Sequence, residues 1–384
     1  MRAYSTENWL SPTLNRESFQ HVQSLFPTAR LRRGAGEPSA LPTALATIDH
    51  IMCPTLDGSM VPMPQLLEDT YTDSLVILRH GTLIHEHYAS GMQADSVHLL
   101  NSVSKTFLGM LAGILVGDGL IDLDAPVSTY APHLTGSALE QTTVRQALDM
   151  TSGVKFNEDY AVPDDDFWVE TSVLGWRPDL TAKAGTGSLK DFASGLTETE
   201  QGEGLHYRTL LTNVVAMVLE GATQTPVQTL MEQRLWQKLK PEYEGNVVVD
   251  ATGFPYFGAG MSISARDLAR FGQMLLNDGA LEGEQIVPAD WVQATRAGSD
   301  KHRAQFAAAD DAGILPGWHY QNQTWVSTAD SLLLGIGIYG QNLYVHQPSG
   351  IVIAKLSTQP EPANEGLLGQ TFLLLNALQQ DLST

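Results

Sequence analysis

The feature that most constrains this chain is the run Thr106–Val116, TFLGMLAGILV, which carries no charged residue. Such a run is too short to cross a bilayer and too apolar to lie on a surface, so it predicts a buried helix around which a core must assemble. Immediately before it stands Ser102-Val103-Ser104-Lys105. Residues three apart share a helix face, and a lysine amine buried beside a serine loses its charge and can act as a base toward the hydroxyl. A Ser-Lys nucleophile is the leading expectation. The plain alternative is a serine packed at a helix start with Lys105 reaching to water.

Spacing alone is weak support. With 25 serines and 8 lysines, chance supplies about half a match to S-x-x-K, and the chain holds two. The second is Ser152-Gly153-Val154-Lys155, behind the helical segment TTVRQALDM. Gly153 reads as a helix stop, so Lys155 does not lie one turn along the same helix, and Ser152 reads as a C-terminal cap residue.

At 384 residues and 43% hydrophobic, the chain can fill a sizeable core. Its 22 basic against 43 acidic residues give a net charge of −21, which repels phosphate backbones and anionic membranes. The N-terminus MRAYSTENWLSPTLNRESF has no continuous apolar stretch, and no segment approaches a membrane span. Neither nucleic acid nor membrane is an expected partner, and the expected compartment is the cytoplasm. One cysteine, Cys53, excludes an internal disulfide framework and a Cys-rich zinc site, and reads as an inert buried thiol. In His85-Glu86-His87 the two histidines read as alternate residues on one exposed face of a hairpin strand and not as a metal cluster. Gly335–Gly340 matches G-x-G-x-x-G but leads into the β-rich NLYVH and not a helix, so it offers no pyrophosphate site. The sequon Asn322-Gln323-Thr324 is read as incidental. No metal or cofactor is expected.

Residues 1 to about 45 read as an extended or loosely helical arm. SLVILRHGTLIHEHY reads as a hairpin turning at His80-Gly81. Helical signals dominate from about 100 to 235, and ISARDLARFGQMLLNDG adds a helix ending near Gly279. The segment LLLGIGIYGQNLYVHQPSGIVIAKLST then reads as an antiparallel meander, and EGLLGQTFLLLNALQQDL as a closing helix. Strands early and late with helices between imply an α/β (α+β) fold: one antiparallel sheet built from both chain ends, flanked by helices, with a large mainly helical insertion. The expected division is an arm at 1–45, an α/β domain at 46–100 and 260–384, and a helical domain at 101–259. The active site would lie in the cleft between the last two.

Together these residues resemble the serine β-lactamase and penicillin-binding-protein superfamily, in the branch of class C β-lactamases and family VIII esterases. Within it the chain is most similar to the 6-aminohexanoate-dimer (nylon-oligomer) hydrolases, through HLLNSVSK, QALDMTSGVKFNEDY, Gly175-Trp176, GMSISARDLARFGQMLL and GIGIYGQNL in that order. The resemblance implies a β-lactamase-like fold and an acyl-enzyme on Ser102, with Lys105 as base and Tyr207, in Tyr207-Arg208-Thr209, relaying protons. Thr209 stands where Asn or Ser is usual. The third motif, expected on an edge strand facing the serine, reads Tyr339-Gly340-Gln341, without the cation that would bind a β-lactam carboxylate. The oxyanion hole would be the backbone N–H groups of Ser102 and Gln341. By the same resemblance Tyr160 would meet the scissile amide, Trp176 would wall the cleft, and Tyr339 and Gly340 would line it. Thr171 and Gly258 stand where relatives carry groups that hold an amino-terminal substrate. Esters or linear amides are the expected small-molecule substrates, and a homodimer is compatible with the resemblance. The alternatives are a β-lactamase or D-amino-acid peptidase, and a non-catalytic binding module of the same fold.

Overall fold

The computed structural model describes residues 4–200, 204–309 and 315–383. Its main sheet is antiparallel and seven-stranded, in the order 318–321, 324–327, 332–337, 341–346, 351–357, 72–79 and 82–88. The last C-terminal strand, Ile351–Ser357, pairs with the first of the early hairpin, Thr72–Arg79, so the two chain ends meet in mid-sheet. The hairpin turns at His80 and Gly81, both at positive φ (47° and 78°), the turn geometry whose twist matches that of its strands. One antiparallel sheet built from both chain ends and flanked by helices is what the ordering of apolar segments implies.

Among the strands that were not foreseen, two extend this sheet. Trp318–Gln321 and Thr324–Ser327 form a hairpin outside the meander. Its turn is Asn322-Gln323, at φ 50° and 63°. The Asn322 amide is buried, accepting from Arg145 at 2.9 Å and donating to Thr295 at 2.7 Å. A residue so held is closed to glycosylation, and the hairpin places the Tyr339 motif inside the sheet instead of on an edge strand.

The apolar run forms the helix Ser104–Gly117, buried through Leu115. Glycine lets it press close to its neighbours. A Cβ on Gly109 would lie 2.0 Å from the Asn322 carbonyl oxygen, and one on Gly113 2.4 Å from the Trp291 ring. Phe107 stacks on Phe271 of the helix Ala265–Leu276, centroids 3.7 Å apart, and that helix covers the sheet. Thr209–Thr223 packs on the other flank, and Glu365–Leu382, capped by Asn364, closes the chain.

The first 45 residues are more than a loose arm. Thr28–Leu31 pairs with Gly245–Val248 in a second, four-stranded sheet completed by Met261–Ser264 and Val97–Leu99. Trp9, Phe19 and Phe26 are buried, with Trp9 packed edge-on against Trp176 and Phe19 against Tyr339. Scattered aromatics carry no helical or strand period, so their burial is invisible to a reading based on periodicity.

Candidate active site

Ser102 lies in a single 3-10 turn, Asn101–Val103, that runs directly into the central helix, with Asn101 at φ 46°. Lys105 is on the first turn of the helix and points back at it. The Lys105 Nζ donates to Ser102 Oγ at 2.8 Å, to Thr209 Oγ1 at 2.8 Å and to the Gly258 carbonyl at 2.7 Å. Lys105 is 1% exposed. Burial strips water from the ammonium and draws its pKa down to about 8, against the pull of Glu158 and Glu170. A fraction of the amine is therefore neutral near pH 7, and able to take a hydroxyl proton.

Ser102 opens onto a cleft of about 760 Å³, lined also by Glu158, Tyr160, Tyr207, Trp325, Ile336 and Asn342. Lys105 Nζ stands 5.0 Å from the centre of the Tyr207 ring, which stacks on Trp325. Tyr160 donates its hydroxyl to Glu158 Oε1 at 2.6 Å. Gly340 borders the cleft at φ 89°, and a Cβ there would lie 2.7 Å from the Gln359 side chain. The Gln341 side chain is turned away, held by the Ser357 backbone at 2.7 and 3.0 Å. Gly337, across the strand pair from Gln341, comes close to the turn: a Cβ on it would be 3.1 Å from the Ser102 nitrogen.

Other residues singled out from the sequence sit elsewhere. Thr171 is fully buried in a helix, its hydroxyl bonded to the Trp168 carbonyl at 2.9 Å, and does not line this cleft. Gly258 contributes its carbonyl to Lys105, but a side chain there would meet Thr209 Cγ2 at 2.4 Å. Trp176 and Tyr339 are almost wholly buried and border an adjoining hollow of about 500 Å³, which shares Tyr160, Ala161 and Pro362 with the cleft. Trp176 is held there by Trp9 and Tyr256, and Tyr339 by Phe19.

The second S-x-x-K match is no dyad. Ser152 Oγ pairs with Thr142 Oγ1 at 2.7 Å, while Lys155 is exposed and bound to Glu198 at 2.6 Å. Glu86 is gripped by Arg266 through two contacts of 2.8 Å, leaving His85-Glu86-His87 without a free carboxylate. Cys53 is buried, and burial pushes its thiol up to about 11.

Two carboxylates were missed. Glu158 accepts from the Thr209 hydroxyl at 2.7 Å and from the Thr209 backbone N–H. It sits inside the NEDY stretch that drew attention only to Tyr160. Glu170 is 1% exposed, takes the Asn213 amide at 2.9 Å, and is raised by burial to about 8. No spacing rule singles out a lone acidic residue in a helix.

The Beta-lactamase family model matches residues 65–377. The chain belongs to the Beta-lactamase family. It is 34% identical over 364 residues to the 6-aminohexanoate-dimer hydrolase of Paenarthrobacter ureafaciens, covering 93% of this chain and 88% of that one. A Bacillus anthracis structure provisionally assigned as a 6-aminohexanoate-dimer hydrolase superposes with a TM-score of 0.89 at 25% identity, over 99% of this chain and 97% of its own. A family VIII carboxylesterase shares the fold at a TM-score of 0.58 and 13% identity, over 83% and 98%. The protein is a serine hydrolase of this family. Among the described residues, no helix is long and apolar enough to cross a membrane.

Proposed function

We propose that the protein hydrolyses carboxylic esters and linear amides through an acyl-enzyme on Ser102. The observation that carries this is the Lys105 amine, buried, drawn down to about 8 and 2.8 Å from a serine hydroxyl on an open cleft. In acylation Lys105 Nζ takes the Ser102 proton as Oγ bonds to the substrate carbonyl carbon. The oxyanion is received by the backbone N–H groups of Ser102 and Gln341. As the bond to the leaving oxygen or nitrogen breaks, Tyr207 passes that proton from the Lys105 ammonium to it. Water repeats the sequence with the roles reversed and frees the acid.

The cleft supports small neutral or amine-bearing substrates. Among the described residues its lining holds Glu158, Asp159, Glu361 and Glu365 and neither lysine nor arginine. A carboxylate-bearing β-lactam would meet repulsion with no cation to answer it. Tyr339, at the position where a cation would bind that carboxylate, is buried against Phe19. Esters should turn over faster than amides, since the amide nitrogen is the poorer leaving group. The test is intact-protein mass spectrometry after exposure to a fluorophosphonate, a p-nitrophenyl ester and a penicillin, with the adduct mapped. A stoichiometric fluorophosphonate adduct on Ser102, ester turnover and no penicillin turnover are expected. Labelling elsewhere, or no labelling, sinks the reading.

A further inference from the structure

Lys105 has three hydrogen-bond partners, and as a base it has only two N–H bonds and one lone pair. Where that lone pair points decides whether it can take the Ser102 proton. The Gly258 carbonyl oxygen can only accept, so one N–H is committed to it at 2.7 Å. Thr209 Oγ1, at 2.8 Å, is able either to accept from the amine or to donate to it. If it donates, it consumes the lone pair and turns an N–H toward Ser102.

Glu158 removes that ambiguity. Its Oε1 lies 2.7 Å from Thr209 Oγ1 and 2.6 Å from the Tyr160 hydroxyl, and its Oε2 takes the Thr209 backbone N–H. A carboxylate held by three donors only accepts, so the Thr209 proton goes to Glu158 and the hydroxyl turns an electron pair to Lys105. Both N–H bonds of the neutral amine are then used on Thr209 and Gly258. The lone pair is left facing Ser102 Oγ at 2.8 Å. We propose that Glu158 is a positioning residue which, through the Thr209 hydroxyl, aims the lone pair of neutral Lys105 at Ser102. This rests on the Ser102–Lys105 reading above and adds to it a role for a residue that touches neither reacting atom.

Glu158 must be ionised for this. Lys105, Arg208, Glu170 and the hydroxyls of Tyr160, Tyr256 and Tyr320 all act on or respond to its charge. Burial raises its pKa, and the Lys105 charge with the Tyr160 and Thr209 donors opposes that rise. Protonation of Glu158 therefore adds a second loss of activity at low pH to the one caused by protonation of Lys105.

The test measures the rate of Ser102 labelling by a fluorophosphonate, with kcat and KM for a p-nitrophenyl ester, in four proteins: unmodified, Glu158→Ala, Thr209→Asn and the double variant. Asn offers Lys105 an amide oxygen, and reversing it takes a full turn of the amide group, so its direction depends less on Glu158 than that of a freely rotating hydroxyl. Glu158→Ala should slow labelling ~10²-fold with KM changed less than about threefold, and should cost under about fivefold in the Thr209→Asn background. Equal losses in both backgrounds, or a loss seen mainly in KM, overturn the proposal. Should Glu158→Ala not fold, Glu158→Gln serves. It keeps an accepting oxygen and cannot ionise, so the acid limb of log rate against pH should be shallower, approaching slope one where the unmodified protein approaches two. Unchanged steepness overturns the proposal as well. Absence of Ser102 labelling in the unmodified protein would instead reject the nucleophile assignment, so the two failures are distinct.

Discussion

Lys105 and Lys355 are both sealed from solvent, both donate to a serine hydroxyl, and both are drawn down by burial, to about 8 and about 7. The contacts are 2.8 Å to Ser102 and 2.5 Å to Ser357. Their surroundings separate them. Ser102 opens onto a cleft, whereas Ser357 is fully buried on a central strand, its backbone bracketed by the Gln341 side chain. The other amine contacts of Lys105 are two acceptors, one of them a hydroxyl committed to Glu158. Among the described residues, Lys355 has, apart from Ser357, only the Thr70 carbonyl at 3.4 Å and the field of Asp73. A short serine–lysine contact and a depressed lysine are thus insufficient for a nucleophile. Access for a carbonyl carbon and fixed partners for the remaining N–H bonds complete it.

The sharpest way to break the comparison is to remove each serine. Ser102→Ala should lower kcat/KM by ~10³-fold or more and abolish fluorophosphonate labelling, with Lys105→Ala close behind, because nucleophile and base act as a unit. Ser357→Ala and Ser152→Ala should keep both. Labelling that follows Ser357 or Ser152 in peptide mapping would reverse the assignment.

The pH profile separates the two lysines next. Lys105 must be neutral to act, and its pKa is about 8, so log kcat/KM should level above that value and fall about tenfold per unit just below it, steepening further down where Glu158 also takes a proton. A midpoint near 8 that persists in Lys355→Met identifies Lys105 as the titrating group. A midpoint that moves with residue 355 would show that the wrong lysine had been assigned.

Gly258 tests the fixed partners. Any Cβ there would press on Thr209 Cγ2 at 2.4 Å, displacing the hydroxyl that Lys105 needs. Gly258→Ala should cost ~10-fold or more in kcat with little change in KM, since tightly packed sites shift rather than absorb a methyl group. The same clash means that Asn or His at 258 would disturb the base before offering anything to a substrate. A fully active Gly258→Ala would show that the Thr209 contact is dispensable.

The sequence made the Ser102–Lys105 contact legible because its signal is local: S-x-x-K at the head of an apolar run sets the two residues one helical turn apart. The early hairpin and the late meander were legible too, since His80-Gly81 and the turn near Gly350 carry strong turn chemistry. What stayed hidden comes from contacts distant in sequence. Thr209 and Glu158 meet across about fifty residues, as do Lys105 and Gly258 across 153. Thr171 and Gly258 were expected at the substrate by alignment of position, but side-chain direction and close packing turn them away. The buried Ser357–Lys355 pair has a spacing of two on a strand, which no nucleophile motif marks.

Lys355 carries the smallest expected effect and fixes the comparison from its inert side. Burial holds its folded pKa near 7, well below its ordinary 10.5, so between those values the unfolded chain binds a proton that the folded chain does not. Stability should therefore rise with pH from about 7 toward 10.5 and be lost as pH falls through that range. Lys355→Met removes the titration while keeping a similar volume. Activity should stay within about twofold, because neither the cleft nor its hydrogen bonds include residue 355. Calorimetric Tm should show Met ahead by a few degrees near pH 7, with the gap narrowing toward pH 10, where the unfolded lysine itself begins to lose its proton. A gap that does not change with pH would mean that Lys355 stays charged in the fold, paired with Asp73 as a structural ion pair. The two lysines would then differ in protonation as well as in access, and depressed amine pKa would regain its value as a marker of the reactive site.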